Sequence, residues 1–107
     1  MTSTISDATI EEIRSRILAV TQPDRIILFG SAATGAMTPD SDIDLLVVEK
    51  EPDVRQESAR LQEALRGIGY PVDVVVISTE WFEESKGVVG GIAYPAHKYG
   101  KVIHAVA

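Results

Sequence analysis

A chain of 107 residues, 45% apolar and 24% charged, has material for one hydrophobic core and no room for a second. It contains no cysteine, which excludes a disulfide framework, a zinc–thiolate site and a cysteine nucleophile. Ten basic against sixteen acidic residues leave a net charge of −6, the wrong sign for a protein that lives on attraction to nucleic-acid phosphates.

In chain order, Asp7 or Thr9 is placed to cap a helix in which Ile10, Ile13, Ile17 and Val20 recur at helical spacing, until Pro23 and Asp24 break it. Ile26 to Phe29 is a β-branched and aromatic run of strand length, stopped by Gly30. Gly30 to Ser41 reads as a loop with one helical turn near Ala32–Ala36. A second strand, Ile43 to Val48, ends at Glu49-Lys50-Glu51-Pro52. From Asp53 to about Arg66 a helix is predicted from Val54, Leu61, Leu65 and Ile68, with Gly67 and Gly69 as its stop. Pro71 opens a third strand, Val72 to Ile77, and Ser78 or Thr79 caps a short helix through Trp81 and Glu84. The stretch Gly87 to Gly91 is ambiguous. A last helix through Ala93, Ala96 and Lys98 reaches Gly100, and Lys101 to Ala105 forms a closing strand.

Strands interleaved with helices place the chain in the α+β or layered α/β class, as one domain over residues 1–107. A Rossmann reading fails, because the Gly-Ser loop leads to a strand and no G-x-G-x-x-G is present. Strand directions stay open. The polar first eight residues do not read as a signal peptide, and the longest apolar run is far below the ~20 residues that span a bilayer. A soluble, cytoplasmic protein with no membrane contact is expected.

Three aspartates stand where strands should be apolar. Asp42 and Asp44 flank Ile43 at the start of the second strand, and Asp73 sits within Pro71-Val72-Asp73-Val74-Val75-Val76-Ile77. Aspartate is a poor strand former and a buried lone carboxylate is costly. Residues two apart in a strand share a face, so Asp42 and Asp44 point together while Ile43, Leu45 and Val47 point away. Like charges so placed raise each other's pKa unless a cation lies between them, and magnesium suits such a site because it takes oxygen ligands, few of them from protein. Asp73, from a neighbouring strand, would complete a site able to clamp a polyphosphate and contact an attacking hydroxyl. Asp-x-Asp alone is a weak signal, and Asp40 beside Pro39 is read as a turn residue. The preceding loop adds to the case. Gly30 lets the backbone turn close to a ligand, the amides after it can form an anion nest, and Ser31 offers a hydroxyl to a phosphate. Phosphate donors and acidic residues thereby arrive at one end of adjacent strands.

Gly30-Ser31, ten residues, then Asp42-x-Asp44 resembles the signature of the polymerase β-like nucleotidyltransferases. The runs Ile27-Leu28-Phe29-Gly30-Ser31 and Ser41-Asp42-Ile43-Asp44-Leu45-Leu46-Val47-Val48 look like its minimal (MNT) subgroup. Val72-Asp73-Val74-Val75 matches where the family carries its third carboxylate, and Tyr99-Gly100-Lys101-Val102-Ile103 is similar to its helix–glycine–strand closure. The likeness runs from about Arg25 to the C-terminus. It implies a palm-like mixed sheet backed by helices and the transfer of a nucleoside monophosphate from an NTP, most simply AMP from ATP, onto a hydroxyl. Asp42, Asp44 and Asp73 would be the catalytic carboxylates and hold magnesium, two ions in such sites. Gly30, Ser31 and Ser41 would bind the nucleotide. Members of the subgroup are frequently antitoxins that silence a helical HEPN-domain partner by adding AMP to a tyrosine, while others serve antibiotic nucleotidyltransferases beside helical substrate-binding domains. This chain has no such helical domain, so another chain would complete an acceptor pocket.

One departure stands out. Many members read Gly-Ser-Arg-Ala-Arg-Gly at the loop, whereas here it reads Gly30-Ser31-Ala32-Ala33-Thr34-Gly35, with no basic residue between Arg25 and Lys50. Lys86, Lys98, Lys101 or a partner chain could substitute for the missing cation that helps hold the triphosphate. The competing functions are therefore a protein-modifying nucleotidyltransferase, a non-catalytic module that neutralises a partner stoichiometrically, and the catalytic subunit of a small-molecule nucleotidyltransferase. His97 and His104 make no ligand spacing, and His104 is expected to be half-buried or on the surface. Trp81 and Phe82 are expected as core or interface anchors, Glu83-Glu84 as a solvated helix face, and Tyr94, Pro95 and Tyr99 as candidates for a partner contact.

Overall fold

The computed structural model describes residues 5–35 and 41–106. Its first helix, α1 (Asp7–Leu18), is capped not by Asp7 or Thr9 but by Ser6, whose Oγ accepts the Thr9 N–H at 3.1 Å. An N-cap needs extended backbone; Ser6 keeps it (ψ 154°), while Asp7 and Thr9 are already inside the helix. Strand β1 (Arg25–Phe29) follows, then the single turn α2 (Ser31–Thr34), β2 (Ile43–Glu49) and α3 (Val54–Ala64). The chain continues as β3 (Val72–Ser78), α4 (Thr79–Ser85), α5 (Ala93–Tyr99) and β4 (Lys101–Ala105). Ser78 caps α4, accepting the Trp81 N–H at 3.0 Å. The turn expected near Ala32–Ala36 is α2; Ala36 itself lies outside the described residues.

The four strands form one sheet in the order β3-β2-β1-β4. β1 pairs antiparallel with β2 and β4, and β2 pairs parallel with β3, so the sheet is mixed. Alternation sorts the side chains into two cores. On one face Ile26, Leu28, Ile43, Leu45, Val47, Val74 and Val76 pack against Ile13 and Ile17 of α1 and Leu61 and Leu65 of α3. On the other, Ile27, Leu46 and Val48 meet Phe82 of α4 and Ala93 and Ala96 of α5. The Trp81–Phe82 pair therefore splits: Phe82 is fully buried and Trp81 stays exposed. Gly100 carries the chain from α5 into β4 through a space no Cβ could enter, since one would collide with the Ala96 carbonyl and stand 2.6 Å from Ile27 Cγ2. No helix of the described residues is long and apolar enough to cross a membrane.

Glu49, which the sequence presents as a strand end, is buried against α3. One oxygen accepts the Thr21 hydroxyl at 2.7 Å; its Oε2 and the Oε2 of Glu57 are both buried with no hydrogen-bond partner. Arg60 neutralises Glu57 through the other oxygen at 2.9 Å. Burial first, and the neighbouring Glu57 next, push the Glu49 pKa up, with Thr21 and Arg60 opposing. A raised carboxyl pKa gives stability that is full below the ordinary carboxylate range and lost as pH climbs through the raised value. Glu49→Gln keeps an acceptor for Thr21, brings an N–H₂ to Glu57 and carries no charge. We expect it to melt above the wild type at pH 8, by about 1–3 kcal/mol, with the gap closing at pH 4. Equal melting at both values would refute the assignment.

Candidate active site

The three sequence-marked aspartates lie on β2 and β3 and at the entry to β2. Because these strands are parallel and in register, Asp44 stands opposite Asp73, and the antiparallel neighbour puts Phe29 opposite Asp44. Opposed residues share a face, so Phe29, Asp44 and Asp73 make one row across three strands. The next row along that face is Ile27, Leu46 and Val75, which belongs to the core under α4 and α5. Asp42 stands one step further out. The acidic row thus lies where the smaller core opens to solvent: Asp44 is half-buried and Asp42 and Asp73 are exposed. The structure brings the three carboxyls within electrostatic reach of one another. Partial burial is the main cause that raises the Asp44 pKa, and Asp73 and then Asp42 raise it further.

The end of β1 is built against this carboxyl. Gly30 takes φ +69°, a left-handed conformation, and a Cβ on it would stand 2.5 Å from Asp44 Oδ2. The bare backbone of the Gly-Ser corner therefore lies directly on the carboxylate. Ser31 starts α2 and Ser41 immediately precedes Asp42; both are half-buried. The intervening residues 36–40, Asp40 among them, lie outside the described residues.

Four basic residues, Arg25, Lys86, Lys98 and Lys101, divide between the two ends of the sheet. Lys86 belongs to the far end: α4 starts where β3 finishes, and Lys86 Nζ pairs with Glu83 at 2.7 Å. Like Arg25, whose guanidinium carbon is 5.5 Å from the Phe82 ring centre, it lies against Phe82, its Nζ 6.0 Å from that centre. Lys98 and Lys101 belong to the near end, since the α5–β4 corner packs on Ile27 and Leu28 and Lys101 pairs with Leu28. Lys98 donates to the Tyr94 hydroxyl at 3.1 Å and lies 5.4 Å from the exposed Tyr99 ring. His97 sits edge-on to Phe82 at 6.1 Å and His104 is half-buried opposite Ile26, so neither joins the acids.

Among the described residues no three histidine, cysteine or carboxylate side chains close into a metal cage of their own. Magnesium does not ask for one. It takes one or two carboxylates and fills its octahedron with water and phosphate oxygens. An all-oxygen donor set of clustered carboxyls beside an exposed backbone corner fits that ion.

A family model for the nucleotidyltransferase domain matches residues 8–98. Solved structures share the fold. The chain superposes with TM-score 0.71 on a toxin–antitoxin crystallised with AMP-PNP, at 20% identity over 91% of this chain and 73% of that one. It superposes with TM-score 0.60 on a Sulfolobus solfataricus protein described provisionally as a nucleotidyltransferase, at 22% identity over 89% and 76%. It matches a mutant of the toxin–antitoxin MntA-HpeT at TM-score 0.60 and 19% identity over 94% and 73%. A comparison with curated proteins finds no match.

Proposed function

The chain belongs to the nucleotidyltransferase-domain family, and from that premise we propose that it transfers AMP from ATP to a hydroxyl of a partner protein, as the antitoxin of a toxin–antitoxin pair. The observation that carries the chemistry is the row of Asp44 opposite Asp73 with the Gly30 backbone set against Asp44. The partner reading draws on the two toxin–antitoxin neighbours, one of them crystallised with AMP-PNP; a helical HEPN-like toxin suits it.

In this reading Asp42 and Asp44 hold magnesium, Asp73 completes the site, and Gly30, Ser31 and Ser41 receive the triphosphate. When bound, magnesium neutralises phosphate charge and makes an acceptor hydroxyl more acidic. The acceptor oxygen forms a bond to the α-phosphorus, the bond to the bridging oxygen breaks, and pyrophosphate leaves with that electron pair. Asp73, exposed at the rim of the row, takes the hydroxyl proton and returns it to solvent. Lys98, on α5 at the near end of the sheet, is the cation offered to a triphosphate; Lys101 pairs with Leu28 and so shares the face opposite the acidic row.

A stoichiometric binding module is the second reading, favoured by the loop without arginine. Melting curves with and without ATP and Mg²⁺ separate the two. The wild type is expected to gain stability only when both are present, about 2.7 kcal/mol at 100 times Kd, and Asp44→Asn to lose that gain. Without metal the order reverses. The raised Asp44 pKa means its contribution to stability is present below the ordinary carboxylate range and lost as pH rises, so ligand-free Asp44→Asn should melt above the wild type, more so at pH 8 than at pH 4. Stabilisation by nucleotide that survives Asp44→Asn would place the nucleotide elsewhere. Silencing of a toxin that survives Asp42→Asn with Asp44→Asn would leave the binding module standing.

A further inference from the structure

Among the described residues β3 is an edge strand, paired on one side, with β2. Its other edge begins with a side chain instead of a strand. Gln62 of α3 donates from Nε2 to the Val72 carbonyl at 3.0 Å, and its Oε1 accepts the Val74 N–H at 2.8 Å. These two backbone groups flank Asp73 on either side. A single residue of a neighbouring parallel strand would make the same pair of bonds, its N–H given to the Val72 carbonyl and its C=O taken by the Val74 N–H.

Asp73 is thus fixed from both edges. On the inner side β3 is in register with β2, with Asp73 opposite Asp44 and the Ile43 N–H bound to the Pro71 carbonyl at 2.8 Å. On the outer side the Gln62 amide is what holds the peptides around it among the described residues. Asp44 needs no such help, since β2 is paired on both sides. A carboxyl at the start of an edge strand would otherwise take up whatever fraying its backbone allows.

We propose that Gln62 is a positioning residue for Asp73, setting the backbone that aims this carboxyl at the cation shared with Asp44. This rests on the reading of Asp73 as a metal-holding carboxylate given above. Residues that orient a ligand without touching the metal typically change affinity about 10–100-fold when replaced. Gln62 is exposed on α3, and methionine is a good helix former of similar length. Gln62→Met therefore removes both bonds while leaving the helix and its buried face intact.

The test uses the whole ¹⁵N-labelled chain, Mn²⁺ as a paramagnetic probe and Gln56→Met as a control for a substitution elsewhere on the exposed side of α3. In Gln62→Met the Val74 amide should exchange with solvent at least about 10-fold faster than in the wild type. The Mn²⁺ concentration that half-broadens the Asp73 amide should rise about 10-fold, and that for the Asp44 amide should rise less. Broadening of Asp73 at wild-type concentrations, despite faster Val74 exchange, would overturn the proposal. A change equal to that of Gln56→Met would overturn it too. If millimolar Mn²⁺ leaves both amides of the wild type untouched, the metal-site reading itself falls, a failure distinguishable from that of Gln62.

Discussion

Gly30→Ala should abolish nucleotide-dependent stabilisation and cut transfer by at least about 100-fold, the scale of loss expected when a reacting group is displaced by an ångström. Two independent penalties meet at this position. The backbone sits at φ +69°, where an L-residue is strained by about 1–3 kcal/mol. The new methyl would also lie 2.5 Å from Asp44 Oδ2, closer than non-bonded atoms tolerate. Relief requires the carboxyl to swing away or the corner to shift, and each takes apart the contact between the Gly30 backbone and the acidic row. Asp44 is half-buried beside Phe29, so it has little room to yield. The measurement is the melting shift on adding ATP and Mg²⁺, with partner modification as the second readout. A variant that keeps both would show that the corner does not touch the nucleotide.

Phe82→Ala should cost about 3–5 kcal/mol, a large fraction of what holds a domain of this size together. Phe82 is fully buried and joins Ile27, Leu46 and Val48 of the sheet to Ala93 and Ala96 of α5. The two alanines and short α5 cannot collapse into the space, so the cavity persists. Arg25 and Lys86 also lose the ring they flank, and His97 its edge contact. A melting temperature lower by more than about 10 °C is expected, with amide exchange from α4 to β4 accelerating ahead of that in α1 and α3. Uniform acceleration would mean that the two faces unfold as one unit.

Much of the site could be read from residues alone because strand periodicity is rigid. Asp42 and Asp44 had to share a face, and Ile43, Leu45 and Val47 had to form the opposite one, whichever strands lay alongside. The partner of Asp44 was a different matter. Asp73 comes opposite it only because β2 and β3 are parallel and in register, a consequence of α3 crossing over the sheet that no local pattern encodes. The distance from Gly30 to Asp44 is equally invisible, since it depends on where β1 ends against β2. Ser6, Asp7 and Thr9 are all good caps by type, and only backbone conformation singles out Ser6. Glu49 and Gln62 look like ordinary polar positions. The burial of Glu49 and the bonding of Gln62 arise from α3 lying on the sheet, and composition carries no trace of that.

The bonds from Gln62 also bear on how the molecule keeps to itself. A strand at the rim of a sheet is an open template on which another chain can lay down a further strand, the first step towards swapped dimers and aggregates. At Val72 and Val74 the template is already taken by the protein's own amide. An incoming strand would have to evict Gln62 before it could align there, and a substitution made to probe Asp73 would at the same time bare a sticky edge. Concentration-dependent association of Gln62→Met is therefore worth recording alongside its metal response.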